Sequence, residues 1–171
     1  MIQRMIRAAR LDGRVFEEVR DDPTATSQAL WVILLGGFAL ALGGIIGFGT
    51  DISLTKRLLV LVLTLSSAVV EWSVVSLLAS WIGRLLLGRI ITFQSMLRVL
   101  GFASVPWIFS LLILMRFVAD LIIAGILVWF VVTLIVAFRG ALRAPFWISF
   151  PMATFGFFIA LSIRQMFRSI L

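Results

Sequence analysis

Apolar residues occur in five long runs along this chain, and short clusters of charged and turn-forming residues separate the runs. Each run is close to the roughly twenty residues that an α-helix needs to cross a bilayer. The pattern therefore predicts five membrane-spanning helices, at residues 29–48, 58–82, 99–115, 117–138 and 146–163. Residues 1–28 form a polar N-terminal segment, and residues 29–171 form the predicted transmembrane domain. The fold class that follows is all-α, a polytopic helical membrane protein.

Residues 1–20 have a different pattern, in which apolar and basic positions alternate at the helical period. The apolar face carries Ile2, Met5, Ile6, Ala9, Phe16 and Val19, and the opposite face carries Arg4, Arg7, Arg10 and Arg14. This pattern predicts an amphipathic helix that lies in the membrane interface, with its arginines against anionic lipid headgroups. Asp12 falls on the apolar side and Gly13 can break the helix in two. The alternative is a short helix packed on the cytoplasmic end of the bundle.

Small residues form a stripe along the first predicted span, at Gly36, Ala39, Gly43 and Gly47. In lipid, such a stripe is typical of a close contact between two helices. The partner helix belongs either to the same chain or to another copy, and the sequence leaves this open. A homo-oligomer or a contact with another membrane protein is therefore one interpretation.

The segment from Arg98 to Trp107 begins with a charge and carries Pro106 about two turns into an apolar helix. Proline removes one backbone donor and displaces the carbonyl four residues earlier, here that of Phe102. Lipid offers that carbonyl no partner, so we expect Ser104 or a neighbouring helix to supply one. Gly101 and Ser104 are small and allow a second helix to approach the bend. A bend with no further role is the alternative.

The second span contains an acidic residue, Glu71, near its middle, and Thr64 and Ser67 lie on the same helical face. An ionised carboxylate at that depth costs about 2.5–3.5 kcal/mol on insertion scales. Glu71 must then be paired, protonated or exposed to a polar cavity. A functional role and a packing role both fit, and no second buried charge is expected at a comparable depth. A second proline, Pro151, lies near the start of the fifth span.

Charged residues near the predicted helix ends support two further predictions. Asp120 lies one helical turn after Arg116, at the junction of the third and fourth spans, which predicts a structural ion pair.

Ten of the fifteen Lys and Arg residues fall on one side of a five-span topology, the side that contains the N-terminus. The positive-inside rule then places the N-terminus in the cytoplasm and the C-terminus on the opposite side.

Composition narrows the function classes. The chain is 62% hydrophobic and its mean hydropathy is +1.17, which indicates an integral membrane protein. The sequence contains neither Cys nor His, so disulfides, thiolate or imidazole metal sites and Ser-His catalysis are excluded. No cofactor and no enzymatic activity are expected. The net charge of +7 comes from arginines that flank apolar segments, which favours anionic lipid headgroups over nucleic acid.

Three stretches resemble the Yip domain family of membrane proteins. They are the segment from Arg98 to Pro106, the run from Trp129 to Leu142, and the opening from Arg7 to Val19, which is similar to the prokaryotic branch. The resemblance implies a five-span protein in a prokaryotic cell membrane. Eukaryotic members associate with Rab-type GTPases in vesicle transport through a longer polar N-terminal segment, so we do not expect that role here.

Two functions are compatible with these observations. The first is a non-enzymatic membrane organiser or interaction protein that acts through helix–helix and lipid contacts. The second is a small transporter or channel that uses Glu71 and the helices bent by Pro106 and Pro151.

Overall fold

The structure is a computed structural model that describes residues 1–47, 53–88 and 91–170, and only the backbone of Gly47 and Arg116. Over these ranges the chain is helical and contains no strand. The α-helices follow in the order Ile2–Ala9 (α1), Gly13–Asp21 (α2), Ala25–Gly47 (α3), Leu54–Leu87 (α4), Phe93–Ala103 (α5), Ala119–Leu142 (α6) and Phe146–Arg168 (α7). A 3₁₀ helix at Val105–Leu114 continues α5, and a short one at Arg116–Val118 leads into α6.

Five segments are long and apolar enough to cross a membrane, which confirms the predicted all-α, five-span fold. They are Ala25–Ile46, Leu54–Leu87, Phe93–Leu114, Ala119–Leu142 and Phe146–Arg168. Several helices extend beyond the apolar runs from which we predicted them, and α4 and α7 end well after positions 82 and 163. Arginine and glutamine are good helix formers, so a helix continues past the point where its apolar run ends. This extension of α7 includes Arg164 in the helix.

Local hydrogen bonds explain where several helices begin. The side chain of Asp22 accepts a bond from the backbone N–H of Thr24 at 2.9 Å, just before α3. Ser53 caps α4 in the same way, and Thr92 caps α5 by accepting from the backbone N–H of Ser95 at 3.1 Å. Each cap satisfies a backbone donor that the first turn of a helix leaves without a partner.

The N-terminal segment consists of two short helices instead of one. Leu11 adopts a left-handed backbone conformation with φ of 62°, and the Asp12 side chain caps α2 by accepting from the backbone N–H of Arg14 at 3.0 Å. The apolar face of α2 is fully buried against the bundle, at Val15, Phe16 and Val19. For α2, the structure therefore has the bundle-packed arrangement that the sequence left as the alternative.

The third span changes helix type at the predicted bend. α5 ends at Ala103, and the chain continues as a 3₁₀ helix with Pro106 in its first turn. The hydroxyl of Ser104 donates to the carbonyl of Leu100 at 2.9 Å. The expectation that Ser104 compensates the displaced Phe102 carbonyl is therefore wrong, because a serine in a helix reaches the carbonyl four residues before its own position.

The stripe of small residues on α3 contacts the third span of the same chain. A Cβ built on Gly36 would lie 3.0 Å from the Cβ of Trp107, and one on Gly43 would lie 3.6 Å from the Cβ of Ile113. Ala39 is buried in the same stripe, whereas any contact of Gly47 lies outside the described part of the chain. Gly101 makes the closest approach from the other side, because its Cβ would lie 3.0 Å from the Cα of Ala29.

Candidate functional site

An ion pair lies inside the helical bundle, between Glu71 of α4 and Arg164 of α7. A guanidinium nitrogen of Arg164 donates to Oε1 of Glu71. The side chains are only 11% and 21% exposed, respectively. α4 and α7 approach closely beside this pair, since a Cβ on Gly156 would lie 3.1 Å from a methyl carbon of Val75. The pair thus joins two neighbouring spans at a point where lipid would stabilise neither charge.

The expectation that no second charge is buried near Glu71 is wrong. Arg164 was predicted to follow the fifth span, because the apolar run ends at position 163. Within α7, however, Arg164 lies on the same face as Ala153, Gly156 and Ala160, which are buried. This spacing of small residues at the helical period was the signal that could have placed Arg164 towards the bundle.

The guanidinium of Arg164 also stacks on an aromatic ring. Its Cζ atom lies 4.0 Å from the ring centroid of Trp107, at the start of the 3₁₀ helix. A cation over an indole face is attracted by the electrons of the ring. Arg164 therefore connects α4, α7 and the third span, and Pro106 positions this contact because it directly precedes Trp107.

Two spaces adjoin the ion pair. A gap of about 20 Å³ lies between Glu71, Ser104 and Trp107, large enough for one water molecule. The second oxygen of Glu71, Oε2, has no hydrogen-bond partner among the described residues. A larger cavity of about 360 Å³ begins on the other side of Arg164 and is lined in part by Thr64 and Ser67. The Ser67 hydroxyl donates to the Thr64 carbonyl at 2.9 Å.

The four N-terminal arginines divide into two groups. Arg4 and Arg7 form ion pairs with Glu18 of α2, at 2.8 Å and 2.7 Å, which fasten α1 to α2. Hydrogen bonds from Arg7 and Arg4 hold the pKa of the Glu18 carboxyl below its ordinary value. Arg10 and Arg14 are exposed and form no ion pair with any described residue. Of these four arginines, Arg10 and Arg14 are therefore the two whose guanidinium groups are not held by a described acidic residue.

The outer side of α1 carries exposed apolar side chains beside Arg10. Ile2 is 68% exposed and Ile6 is 47% exposed. Ile2, Ile6 and Arg10 succeed one another at four-residue spacing and form one stripe along α1, which we call the α1 stripe. An exposed apolar stripe with a basic end has the composition of an interfacial membrane contact.

A second arginine that sequence analysis did not single out for a role, Arg98, holds the N-terminal helices on the bundle. Its side chain is buried and donates to the Thr26 hydroxyl at 2.8 Å and to the Arg20 carbonyl at 3.0 Å. Arg20 in turn donates to the carbonyl of Ala141 at the end of α6. The signal in the sequence was an arginine at the start of an apolar helix. These bonds give α2 a fixed position over the end of the bundle.

Two of the predicted site features, Pro151 and the Arg116–Asp120 ion pair, make no described contact with the site around Glu71. Pro151 lies inside α7 with its side chain exposed on the outer surface. Asp120 is in the first turn of α6, as predicted, but the side chain of Arg116 lies outside the described part of the chain, so their ion pair stays a prediction. Among the described residues, no group of three or more acidic side chains could hold a metal ion.

The Glu71–Arg164 pair neutralises two buried charges inside the bundle. The sequence matches the family model of the Yip1 domain over residues 11–163, which is most of its length. The chain belongs to the Yip1 family. Searches of curated proteins and of solved structures each gave no significant match.

The Yip1 match covers α2 and all five spans except the final turn of α7. It therefore includes Glu71, Arg98 and Trp107, whereas Arg164 is the first residue beyond its end. The protein is thus a multi-pass integral membrane protein of this family.

Proposed function

We propose that this protein is a non-enzymatic membrane organiser, which gathers anionic lipid and contacts other membrane proteins at the end of the bundle covered by α1 and α2. The observation that carries the proposal is the α1 stripe, in which Ile2 and Ile6 are exposed beside Arg10. Interfacial helices bind through apolar area together with attraction to anionic lipid. The ion pairs of Arg4 and Arg7 support it further, because they fix α1 to α2 and so orient the stripe.

The interior of the bundle supports a packing role for its polar groups. Ser67, Ser73 and Ser80 donate to carbonyls of their own helix, and the Trp72 indole donates to the Leu97 carbonyl of α5 at 2.8 Å. The indole bond holds α4 against α5, and the serine hydroxyls are satisfied within α4, so each of these groups already has a hydrogen-bond partner.

Energy transfer between the protein and labelled lipid tests this function. Because the chain has no native cysteine, Gln3→Cys carries a single donor dye on the exposed side of α1. We expect greater transfer to acceptor-labelled phosphatidylglycerol than to labelled phosphatidylcholine. The double variant Arg10→Gln and Arg14→Gln should remove the difference, since each basic residue near an anionic surface contributes about 1 kcal/mol.

A matched pair of variants separates the stripe from general hydrophobicity. Ile6→Ser changes the stripe, whereas Ile170→Ser makes the same change at an exposed position at the other end of the chain. Equal energy transfer to both lipids from the protein with an unmodified stripe would refute the proposal.

The same Gln3→Cys protein also tests the orientation of the chain. In sealed cell-derived vesicles of known orientation, a thiol reagent that cannot cross membranes reports whether the N-terminus is cytoplasmic, as the charge distribution favours.

A second candidate, a small proton-coupled transporter, is favoured by the Glu71–Arg164 pair, because Arg164 lies on the wall of the larger cavity and both residues line the small gap beside it. Transporters use intramembrane acids beside water-accessible spaces. In liposomes with a pH-sensitive dye inside, this candidate predicts proton flux by the wild type that Glu71→Gln removes while the protein still elutes as a folded species. Absence of wild-type flux would refute the proton-transport candidate.

A further inference from the structure

The cavity of about 360 Å³ lies at the C-terminal end of the bundle, between α3, α4, α6, α7 and the 3₁₀ helix. Its volume falls in the range of small-ligand sites, about 300–1,000 Å³. Most of its wall is apolar and is formed by side chains such as Leu40, Val60, Ile126 and Leu161. An apolar cavity of this size favours a hydrocarbon occupant over water.

The cationic edge of the cavity comes from one helix. Arg164, Gln165 and Arg168 of α7 lie along it. Arg164 is engaged by Glu71, whereas Arg168 is exposed and forms no ion pair with any described residue. Because Arg168 is in the last turn of a membrane-spanning helix, its guanidinium lies at the depth of lipid headgroups.

The cavity opens towards the outer surface of the bundle at α3. Gly44 lines the cavity and is exposed. A Cβ on Gly44 would meet only a methyl carbon of Val60, at 3.9 Å. The absence of a side chain at this position therefore leaves a lateral opening through which a chain from the surrounding lipid can enter.

We propose that this cavity binds one anionic phospholipid, with an acyl chain between the helices and the phosphate at Arg168. The apolar wall matches the chain, the free guanidinium matches the charge, and the opening at Gly44 connects the two to the bilayer. This deepens the proposed function, on which it rests for the choice of anionic lipid, and it places a specific site at the opposite end of the bundle from the α1 stripe.

The experiment is a lipid titration of the full chain, purified in detergent, stripped of lipid and followed by native mass spectrometry. The three probes are phosphatidylglycerol, phosphatidylcholine with the same chains, and glycerol phosphate, which has the charge but no chains. We expect the first molecule of phosphatidylglycerol to bind at least about tenfold more tightly than phosphatidylcholine, and no occupancy by glycerol phosphate at the same concentration. Equal affinity for the two lipids, or equal binding of glycerol phosphate, would overturn the proposal.

Two variants test the two halves of the site, each with a matched control. Gly44→Leu fills the opening and should weaken phosphatidylglycerol binding by about tenfold or more. Gly125→Leu makes the same change on α6 at an exposed position with open space around it, and should bind as the wild type. Arg168→Gln should weaken binding by about fivefold, the effect of one basic residue near an anionic group. Arg139→Gln removes one exposed charge at the other end of the bundle and should have no effect.

Wild-type affinity in Gly44→Leu and Arg168→Gln would show that the cavity does not hold the lipid. Arg168 is on the surface, so its substitution keeps the test valid even if the glycine variant does not fold. The outcome is separate from that of the α1 stripe, because Arg10 and Arg14 do not line the cavity. Lipid binding that survives in Arg10→Gln and Arg14→Gln, and is lost in Gly44→Leu, supports this site whatever the energy-transfer result.

Discussion

Replacing Glu71 by leucine removes one partner of the buried ion pair and leaves Arg164 charged inside the bundle. Loss of one partner from a buried pair costs about 3–5 kcal/mol. We expect the lower end of that range, about 3 kcal/mol, because the Arg164 side chain is 21% exposed and keeps its stacking on Trp107. A single interhelical hydrogen bond between neutral groups contributes only about 0.6 kcal/mol in a membrane protein. The measured cost therefore distinguishes an ion pair from an ordinary polar contact.

The second perturbation, Arg164→Met, isolates the interaction when it is combined with Glu71→Leu. Each single variant leaves an unpaired charge, whereas the double variant leaves none and should unfold at close to the wild-type free energy. The double-mutant cycle then gives a coupling free energy of at least about 3 kcal/mol, because the cost of Glu71→Leu is absent from the double variant. Unfolding is measured by steric trapping in bicelles, where the chain stays in a lipid environment.

Ser76→Ala is the matched control for the loss of a buried polar group from α4. The Ser76 hydroxyl is fully buried and has no hydrogen-bond partner among the described residues. Its removal should therefore not destabilise the protein. A coupling free energy near zero between Glu71 and Arg164, with costs no larger than that of Ser76→Ala, would refute the reasoning.

Two further predictions concern the close contact of α3 with α5 and the attachment of α1. Gly101→Ala should destabilise the bundle by about 1–3 kcal/mol in the same unfolding assay, because its Cβ would lie 3.0 Å from the Cα of Ala29. Gly125→Ala is the control, because a Cβ there would lie in open space and should not destabilise the bundle. Equal effects of the two substitutions would contradict the prediction. Because Arg7 and Arg4 lower the folded-state pKa of Glu18, the stability it contributes is present above its ordinary pKa and is lost as the pH falls through the lowered value. Spin labels at Gln3→Cys and Ser27→Cys should therefore separate as the pH falls from about 7 through the lowered pKa of Glu18. A distance that stays unchanged once Glu18 is protonated would show that its ion pairs do not hold α1.

The fold was predictable because the hydrophobic period and the length of each run are local properties of the sequence. The five spans and the bend at Pro106 depend on residues within two or three helical turns of one another. The small-residue stripe at Gly36 and Gly43 was also visible in the sequence. Its partner became known only from the structure, because any of several helices can fill such a groove.

The site was predictable only in part, because its central contact joins residues 93 positions apart. Glu71 was evident from its cost in the membrane, but Arg164 has the same local sequence as an ordinary arginine at a helix end. Hydropathy defines a span by where apolar residues stop, whereas the helix continues for as long as its backbone hydrogen bonds are satisfied. The difference of one helical turn decides whether Arg164 meets lipid headgroups or Glu71.

That one turn also connects the ion pair to the cavity. Arg164 and Arg168 are four residues apart on α7 and lie on the same face, so the helix that brings the first to Glu71 brings the second to the cavity edge. An anionic group at the edge and the carboxylate of Glu71 both attract the Arg164 guanidinium, and a gain of one contact weakens the other. Such competition makes the two interactions thermodynamically reciprocal. A packing role for Glu71 and the lipid site that we propose at Arg168 are therefore not independent, since both depend on the position of α7.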